Sequence, residues 1–132
     1  MRILPLAAAS GLVIALATGS LLGVSAQGIP PKPPGDGWVR AYNYLAGGLI
    51  HTEWIRLRAR RGPYVTVEET WSDGNGHVSS DSKWNTNSLY DCNSFKARYL
   101  GTNAYPRANT DWEVVVPGTK GESEYDAACR LF

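Results

Sequence analysis

Two cysteines, Cys92 and Cys129, are the residues of this chain whose chemistry is easiest to infer. The chain begins with Arg2 and a long apolar run that ends in the small residues Val24-Ser25-Ala26, a pattern typical of a signal peptide. In the oxidising compartments that exported proteins reach, an even number of cysteines is expected to pair. We therefore predict a Cys92–Cys129 disulfide that joins the middle of the chain to its last turn.

Four arginines form the main charge cluster of the sequence: Arg56, Arg58, Arg60 and Arg61. Alternate residues of a strand share one face about 7 Å apart, so Arg56, Arg58 and Arg60 are expected on the same face. Guanidinium groups with this spacing can bind carboxylates or sulfates through paired hydrogen bonds. The alternative is a solvated face, balanced across the hairpin by Glu53, Glu68 and Glu69.

Candidate metal ligands are few and poorly spaced in this sequence. The two histidines, His51 and His77, lie in different segments, whereas zinc needs several ligands that converge. Asp73, Asn75 and Asp81 resemble part of a calcium-binding loop, but the glycine and the terminal glutamate of that loop are missing at the required positions. We expect a turn at Asp73, and neither a metal site nor a cofactor.

Catalytic motifs are equally absent from the sequence. Serine, histidine and aspartate all occur, but no nucleophile elbow or other ordered catalytic pattern surrounds them. The carboxylates of Glu68 and Glu69 are neighbours on a predicted strand, so they point to opposite faces and cannot act on one substrate. The sequence therefore favours a non-catalytic protein, and a secreted enzyme of unknown type is the weakest alternative.

Composition limits the class of partner. Cleavage after Ala26 removes Arg2 and leaves 12 Lys and Arg (13 less one) against 12 Asp and Glu, so the net charge falls to zero. Proteins that bind nucleic acid are typically strongly basic, and we therefore expect no nucleic-acid partner. The remaining residues, 27–132, are enough for one domain.

Alternating apolar and polar residues, separated by turn signals, predict a β-rich domain. The predicted strands cover residues 38–45, 51–60, 64–71, 88–93, 95–100 and 112–116. Ile55 and Leu57 are expected on the core face of the second strand. Trp112 is expected in the core beside the three valines of the last strand, because a tryptophan supplies a large apolar surface.

The hydrophobic period changes near the C-terminus. Ser123 and the acidic residues around it suit the beginning of a helix, which is predicted over 121–130. Tyr125, Ala128 and Cys129 then fall on one face of that helix. The predicted fold class is α+β, a small antiparallel β-sheet with a short C-terminal helix stapled by one disulfide.

Three segments are expected along the chain. Residues 1–26 form the signal peptide, or alternatively a retained N-terminal membrane helix, since no charge interrupts the stretch from Ile3 to Ala26. Residues 27–37 are rich in proline and glycine and predict an extended linker. Residues 38–132 form the β domain.

A set of motifs follows in order along the second half of the chain: Ser88-Leu89-Tyr90-Asp91-Cys92, Phe95, Arg98, Trp112, Val115-Val116, Pro117-Gly118-Thr119 and Cys129. This order resembles the surface-adhesin protein E family of bacterial exported proteins, over roughly Trp38 to Arg130. The resemblance implies a small antiparallel sheet, a C-terminal helix and one disulfide. It also implies binding to host matrix or serum proteins and leaves a homodimer open. This chain lacks the lipid-acceptor cysteine of the founding members.

These features together predict an exported, non-catalytic protein-binding module of the bacterial envelope, located in the periplasm, at the cell surface or outside the cell. The alternative is a structural accessory subunit of a membrane protein complex, anchored by an uncleaved N-terminal helix. The membrane is a partner only in that case. The expected partner is a protein, and the expected binding residues are the arginines: Arg56, Arg58, Arg60 and Arg61.

Overall fold

The computed structural model describes residues 31–78 and 81–132, which form one antiparallel sheet and one α-helix. The strands lie in sequence order: β1 (Trp38–Ala46), β2 (Leu49–Arg61), β3 (Tyr64–Ser72), β4 (Thr86–Asp91), β5 (Lys96–Thr102) and β6 (Glu113–Val114). A short 3-10 helix (Ser82–Trp84) precedes β4, and helix α1 (Lys120–Leu131) follows β6. The predicted α+β fold, with one C-terminal helix on an antiparallel sheet, is confirmed.

The predicted leader, residues 1–26, and the first part of the predicted linker lie outside the described residues. Within the described ranges, no helix is both long enough and apolar enough to cross a membrane. The two interpretations of residues 1–26, a cleaved signal peptide and a retained membrane helix, therefore stay predictions.

Tight turns explain why each strand pairs with the next one in the sequence. The β1–β2 turn consists of Gly47 and Gly48, whose φ angles are 60° and 76°. Two consecutive residues with positive φ are what a two-residue hairpin turn requires, and glycine adopts this conformation without a steric penalty. The next hairpin turns at Gly62-Pro63, so β1, β2 and β3 form a continuous antiparallel unit.

The sheet has two faces, and α1 packs against one of them, which we call the helix face. Its core consists of buried side chains from the sheet that meet Tyr125 and Ala128 of α1: Ala41, Ile55, Val65, Val67 and Tyr90. Burial of each large apolar side chain contributes roughly 1.5–3 kcal/mol, so these contacts hold the helix on the sheet. Residues between them in the strand sequence point to the opposite face.

The disulfide is the covalent part of this contact. Cys92 follows β4 and Cys129 lies in α1, and their Cα atoms are 5.6 Å apart across the bond. Next to it, the Tyr125 hydroxyl donates a hydrogen bond of 3.2 Å to the carbonyl oxygen of Asp91. The predicted disulfide is confirmed, and it joins the sheet to the helix.

Leu57 was predicted in the core, but it is 42% exposed. It pairs with Val67 and so extends from the helix face, as Ile55 does. The pairing of β1 with β2 ends at Trp38 and Arg56, however, so no strand lies beside Leu57 on that side. The alternation of the strand therefore predicted the correct face for Leu57, the helix face. The residue is exposed because β1 does not extend far enough to cover it.

Trp112 and the strand predicted over 112–116 also differ from expectation. Only Glu113 and Val114 pair with β5, because the outer edge of β5 is also occupied by Asn109, whose backbone N–H donates to the Tyr99 carbonyl. Trp112 is half-buried and packs beside Tyr64, with ring centroids 6.2 Å apart, outside the core. The prediction that Trp112 is a core residue is wrong.

Candidate functional site

A β-bulge in β2 divides the predicted arginine stripe between the two faces. The register with β3 shifts between Leu57 and Ala59, so that Arg58 has no partner residue. Beyond the shift, Arg60 pairs with Val65, a core residue of the helix face. One extra residue reverses the alternation of the strand. The expectation that Arg56, Arg58 and Arg60 share a face is therefore wrong for Arg60.

Arg60 and Arg61 each lie on the face of the sheet opposite to the one that simple alternation predicts. The Arg60 guanidinium donates hydrogen bonds to the backbone oxygens of Phe132 (2.7 Å) and Gly62 (3.2 Å). Arg61 pairs with Tyr64 on the opposite face, where it lines an open depression of about 370 Å³. Arg61, rather than Arg60, thus lies on the same face as Arg56 and Arg58.

Arg56 and Arg58 both bind the buried carboxylate of Glu68. Their Nη2 atoms lie 2.7 Å and 3.1 Å from Glu68 Oε2. The other carboxylate oxygen, Oε1, accepts hydrogen bonds from the side-chain amides of Asn85 (3.0 Å) and Asn103 (2.8 Å). Burial alone would raise the pKa of Glu68, but these amides and Arg56 lower it below its ordinary value.

We call Arg56, Arg58 and Arg61 the guanidinium patch. Arg56 and Arg58 share one carboxylate, Glu68, so this pair carries an excess of one positive charge, and Arg61 lies farther along the same face opposite Tyr64. The side chains of Arg56 and Arg58 remain 42% and 44% exposed, although Glu68 fixes their position. Arg56 also lies over the Trp38 ring, 4.8 Å from its centroid. The patch therefore presents oriented N–H donors that can bind a carboxylate or a sulfate.

The helix face carries a second group of ionisable residues, which we call the carboxylate cluster: Glu53, Glu69 and Glu124. One carboxylate oxygen of each lies within 4.8 Å of the other two. Lys120, one turn before Glu124 in α1, places its Nζ 2.7 Å from Glu124 Oε1 and 3.6 Å from Glu53 Oε2. Two of the three carboxyl groups, those of Glu53 and Glu124, thus pair with one ammonium group near the beginning of α1.

Burial and mutual repulsion keep this cluster partly protonated. Burial, followed by the neighbouring Glu124, raises the pKa of Glu53 to about 9, so its carboxyl group holds a proton at neutral pH. Burial also raises the pKa of Glu69, despite a hydrogen bond of 2.7 Å from the Thr86 hydroxyl. The Tyr90 hydroxyl lies 3.3 Å from Glu124 Oε2 and 3.4 Å from Glu69 Oε1.

The carboxylate cluster was missed by reasoning from the sequence. In the alternative interpretation of the arginines, Glu53, Glu68 and Glu69 together balance their charge. Among the described residues, Glu68 alone of these three pairs with Arg56 and Arg58. The opposed orientation of Glu68 and Glu69 is as predicted. A signal existed for Glu53, because a residue two positions before Ile55 shares its buried face. No comparable pattern linked Glu124 to either strand residue.

The remaining predicted candidates do not converge on either site. The imidazole of His51 stacks on Tyr44, with ring centroids 4.9 Å apart. His77 lies at a turn in which Asp73 Oδ1 accepts hydrogen bonds from the backbone N–H groups of Asn75 (2.8 Å) and His77 (3.0 Å). These contacts explain the Asp73 turn locally, as the sequence suggested.

Comparison with protein families, curated proteins and solved structures found no match to this chain. The resemblance to the surface-adhesin protein E family therefore stays a prediction from the order of its motifs. Inferences about function depend on the geometry of the guanidinium patch and of the carboxylate cluster.

Proposed function

We propose that this protein is an exported, non-catalytic protein-binding module of the bacterial envelope, similar in role to surface adhesin E. The Cys92–Cys129 disulfide supports a location in an oxidising compartment, where such bonds persist. The burial of Glu53 and Glu69 on the helix face supports a non-catalytic role, because a substrate needs access to the groups that act on it.

The observation that carries the binding role is the guanidinium patch. Glu68 is fully buried and holds Arg56 and Arg58 in place, so little side-chain freedom is lost when a partner binds. Guanidinium groups that are oriented before binding favour planar, bidentate contacts with carboxylates. The complementary partner is an acidic protein surface, either of a host matrix or serum protein or of an envelope subunit.

Adjacent arginines offer a matched test of this proposal. Arg61→Glu and Arg60→Glu make the same change of charge, but only Arg61 belongs to the guanidinium patch. Binding to an immobilised poly-glutamate peptide, and capture of a partner from native envelopes, should weaken at least tenfold for Arg61→Glu. Arg60→Glu should retain binding, once circular dichroism has shown that both variants are folded.

The dependence of affinity on salt concentration is a second test of the guanidinium patch. Exposed charges are screened beyond about 8 Å at physiological ionic strength, so affinity should fall as sodium chloride is added. Two results would assign the partner to another surface. One is an equal loss of affinity in the Arg60→Glu and Arg61→Glu variants, and the other is an affinity that does not change with salt.

The alternative role, an accessory subunit of a membrane complex, depends on residues 1–26. N-terminal sequencing of the protein from its native source separates the two roles. A mature N-terminus at Gln27 supports release of the module, whereas Met1 supports a retained anchor. Sedimentation of the mature protein tests the homodimer that the resemblance left open.

A further inference from the structure

Three exposed aromatic side chains line an open depression of about 490 Å³ at the end of β5. Trp84, Tyr99 and Tyr105 are 53%, 41% and 67% exposed, and the ring centroids of Trp84 and Tyr105 lie 6.0 Å apart. The volume falls within the range of about 300–1,000 Å³ that small-molecule sites occupy. We call these three residues and Arg107, which lines the same depression, the aromatic pocket.

The backbone after β5 is held close to the strand. Gly101 has a φ of 90°, and a Cβ atom there would lie 2.3 Å from both the Tyr105 carbonyl oxygen and the Arg107 nitrogen, so the position requires glycine. The backbone N–H of Ala104 donates a hydrogen bond of 2.8 Å to the Lys83 carbonyl oxygen in the 3-10 helix. The aromatic pocket is therefore formed before a ligand binds, and little conformational freedom is lost on binding.

The aromatic pocket also carries a positive charge. Arg107 is exposed, and no carboxylate among the described residues forms an ion pair with it. None of the described residues that line the depression is acidic. A guanidinium group binds a carboxylate through two parallel hydrogen bonds, so the pocket complements an anionic ligand.

Aromatic rings beside hydroxyl and amide groups form the kind of surface that a sugar requires. A pyranose ring presents C–H groups on one face, which pack on an aromatic ring, and hydroxyl groups around its edge, which need hydrogen-bond partners. Thr102, Asn109 and Thr110 line the same depression and supply hydroxyl and amide groups. A peptide of acidic residues can bind Arg107, but it has no ring to stack on Trp84.

The aromatic surface continues beyond this depression. Trp84 also lines a depression of about 140 Å³, together with Trp71. Trp71 in turn lines one of about 400 Å³ beside Tyr44, and the ring centroids of Trp71 and Tyr44 lie 5.7 Å apart. Successive depressions that share tryptophan rings suit a chain of linked sugars better than a single one.

We propose that the aromatic pocket binds an acidic oligosaccharide, with one sugar ring stacked on Trp84 and Tyr105 and its carboxylate bound by Arg107. The adjoining sugars extend along the depressions toward Trp71. This site goes beyond the proposed protein-binding role and does not depend on it, because it takes a carbohydrate and uses none of the arginines of the guanidinium patch.

Isothermal titration with oligomers of galacturonic, glucuronic, mannuronic and N-acetylneuraminic acid tests the site. At least one oligomer should bind at millimolar concentrations or below, and methyl esterification of its carboxyl groups should weaken binding about tenfold or more. Arg107→Gln should lower the affinity for the acid by a similar factor and remove the difference between acid and ester. Arg130→Gln, which changes an exposed arginine of α1, is the matched control and should bind as the natural protein does.

The stacking contact has its own pair of variants. Trp84→Ala should weaken binding of the same oligomer about tenfold or more, whereas Trp84→Phe, which keeps an aromatic ring, should retain most of the affinity. Trp84 is more than half exposed, so neither change disturbs the core. Arg61→Glu should bind the oligomer as the natural protein does, since Arg61 belongs to the guanidinium patch.

Four results would overturn the assignment. One is the absence of binding by every oligomer at millimolar concentrations, and another is equal affinity for the acid and its methyl ester. A third is unchanged binding in Trp84→Ala. The fourth is binding of poly-glutamate that is lost in Arg107→Gln and kept in Arg61→Glu, which would make the aromatic pocket a site for acidic protein segments.

Discussion

Replacement of Glu53 by glutamine should make the protein more stable at neutral pH. In the folded protein the pKa of Glu53 is raised to about 9 from a value of 4.5, chiefly by burial and then by Glu124. The folded state therefore holds a proton that the unfolded chain releases. Glutamine has the same shape and never ionises, so the variant removes this difference between the two states.

The magnitude follows from proton linkage. Because the folded pKa is raised, the free energy of unfolding is highest below pH 4.5 and falls as pH rises toward about 9. The loss is about 1.4 kcal/mol for each pH unit, which amounts to about 3 kcal/mol at pH 7. Glu53→Gln should recover most of that amount, and its melting temperature should rise by about 10 °C or more.

The assay is urea unfolding followed by tryptophan fluorescence at several pH values. Natural protein and Glu53→Gln should have similar stability at about pH 4.5 and diverge steadily as pH rises. Glu113→Gln, an exposed change of the same chemistry, should follow the natural protein. If the Glu53→Gln and natural curves remain parallel across this range, Glu53 is ionised in the folded state and the reasoning fails.

Three further changes test other parts of the fold. Cys92→Ser removes a disulfide between residues 37 positions apart and, by chain entropy, should lower the free energy of unfolding by about 4 kcal/mol. An intact mass of the exported protein that shows two free thiols would contradict the disulfide itself. Trp112→Ala should lower the free energy of unfolding by only about 1–2 kcal/mol in a melting experiment, because this side chain is half-buried. A loss above about 4 kcal/mol would mean that Trp112 packs in the core. Glu68→Ala should cost about 1–3 kcal/mol in urea unfolding, since it leaves the buried side-chain amide of Asn85 without its acceptor, while Arg56 and Arg58 are exposed enough to be solvated. A neutral result would mean that water replaces the Glu68 carboxylate as the acceptor for this amide.

Local patterns were sufficient for most of the secondary structure. The strand predicted over 51–60 is observed as Leu49–Arg61, and the one predicted over 64–71 as Tyr64–Ser72. The helix predicted over 121–130 is observed as Lys120–Leu131. Alternation, turn glycines and helical spacing are properties of neighbouring residues, so they can be read before any tertiary contact is known.

The bulge at Arg58 could not be predicted in the same way. No glycine or proline marks it, and the alternation of the sequence continues through it unchanged. Its position depends on how the whole of β2 pairs with β3, where Arg60 and Val65 must meet. Pairing between strands therefore decided which arginines form the guanidinium patch.

By itself, the sequence determined the fold class and the paired cysteines, because the first depends on patterns of neighbouring residues and the second on there being only two cysteines in the chain. Only the tertiary structure decided the carboxylate cluster. Glu53, Glu69 and Glu124 come from β2, β3 and α1, and they meet only when the helix docks on the sheet beside the disulfide. Their burial, and with it the raised pKa of Glu53, is a property of that docked arrangement, since a carboxyl group in an isolated strand or helix would be solvated and ionised.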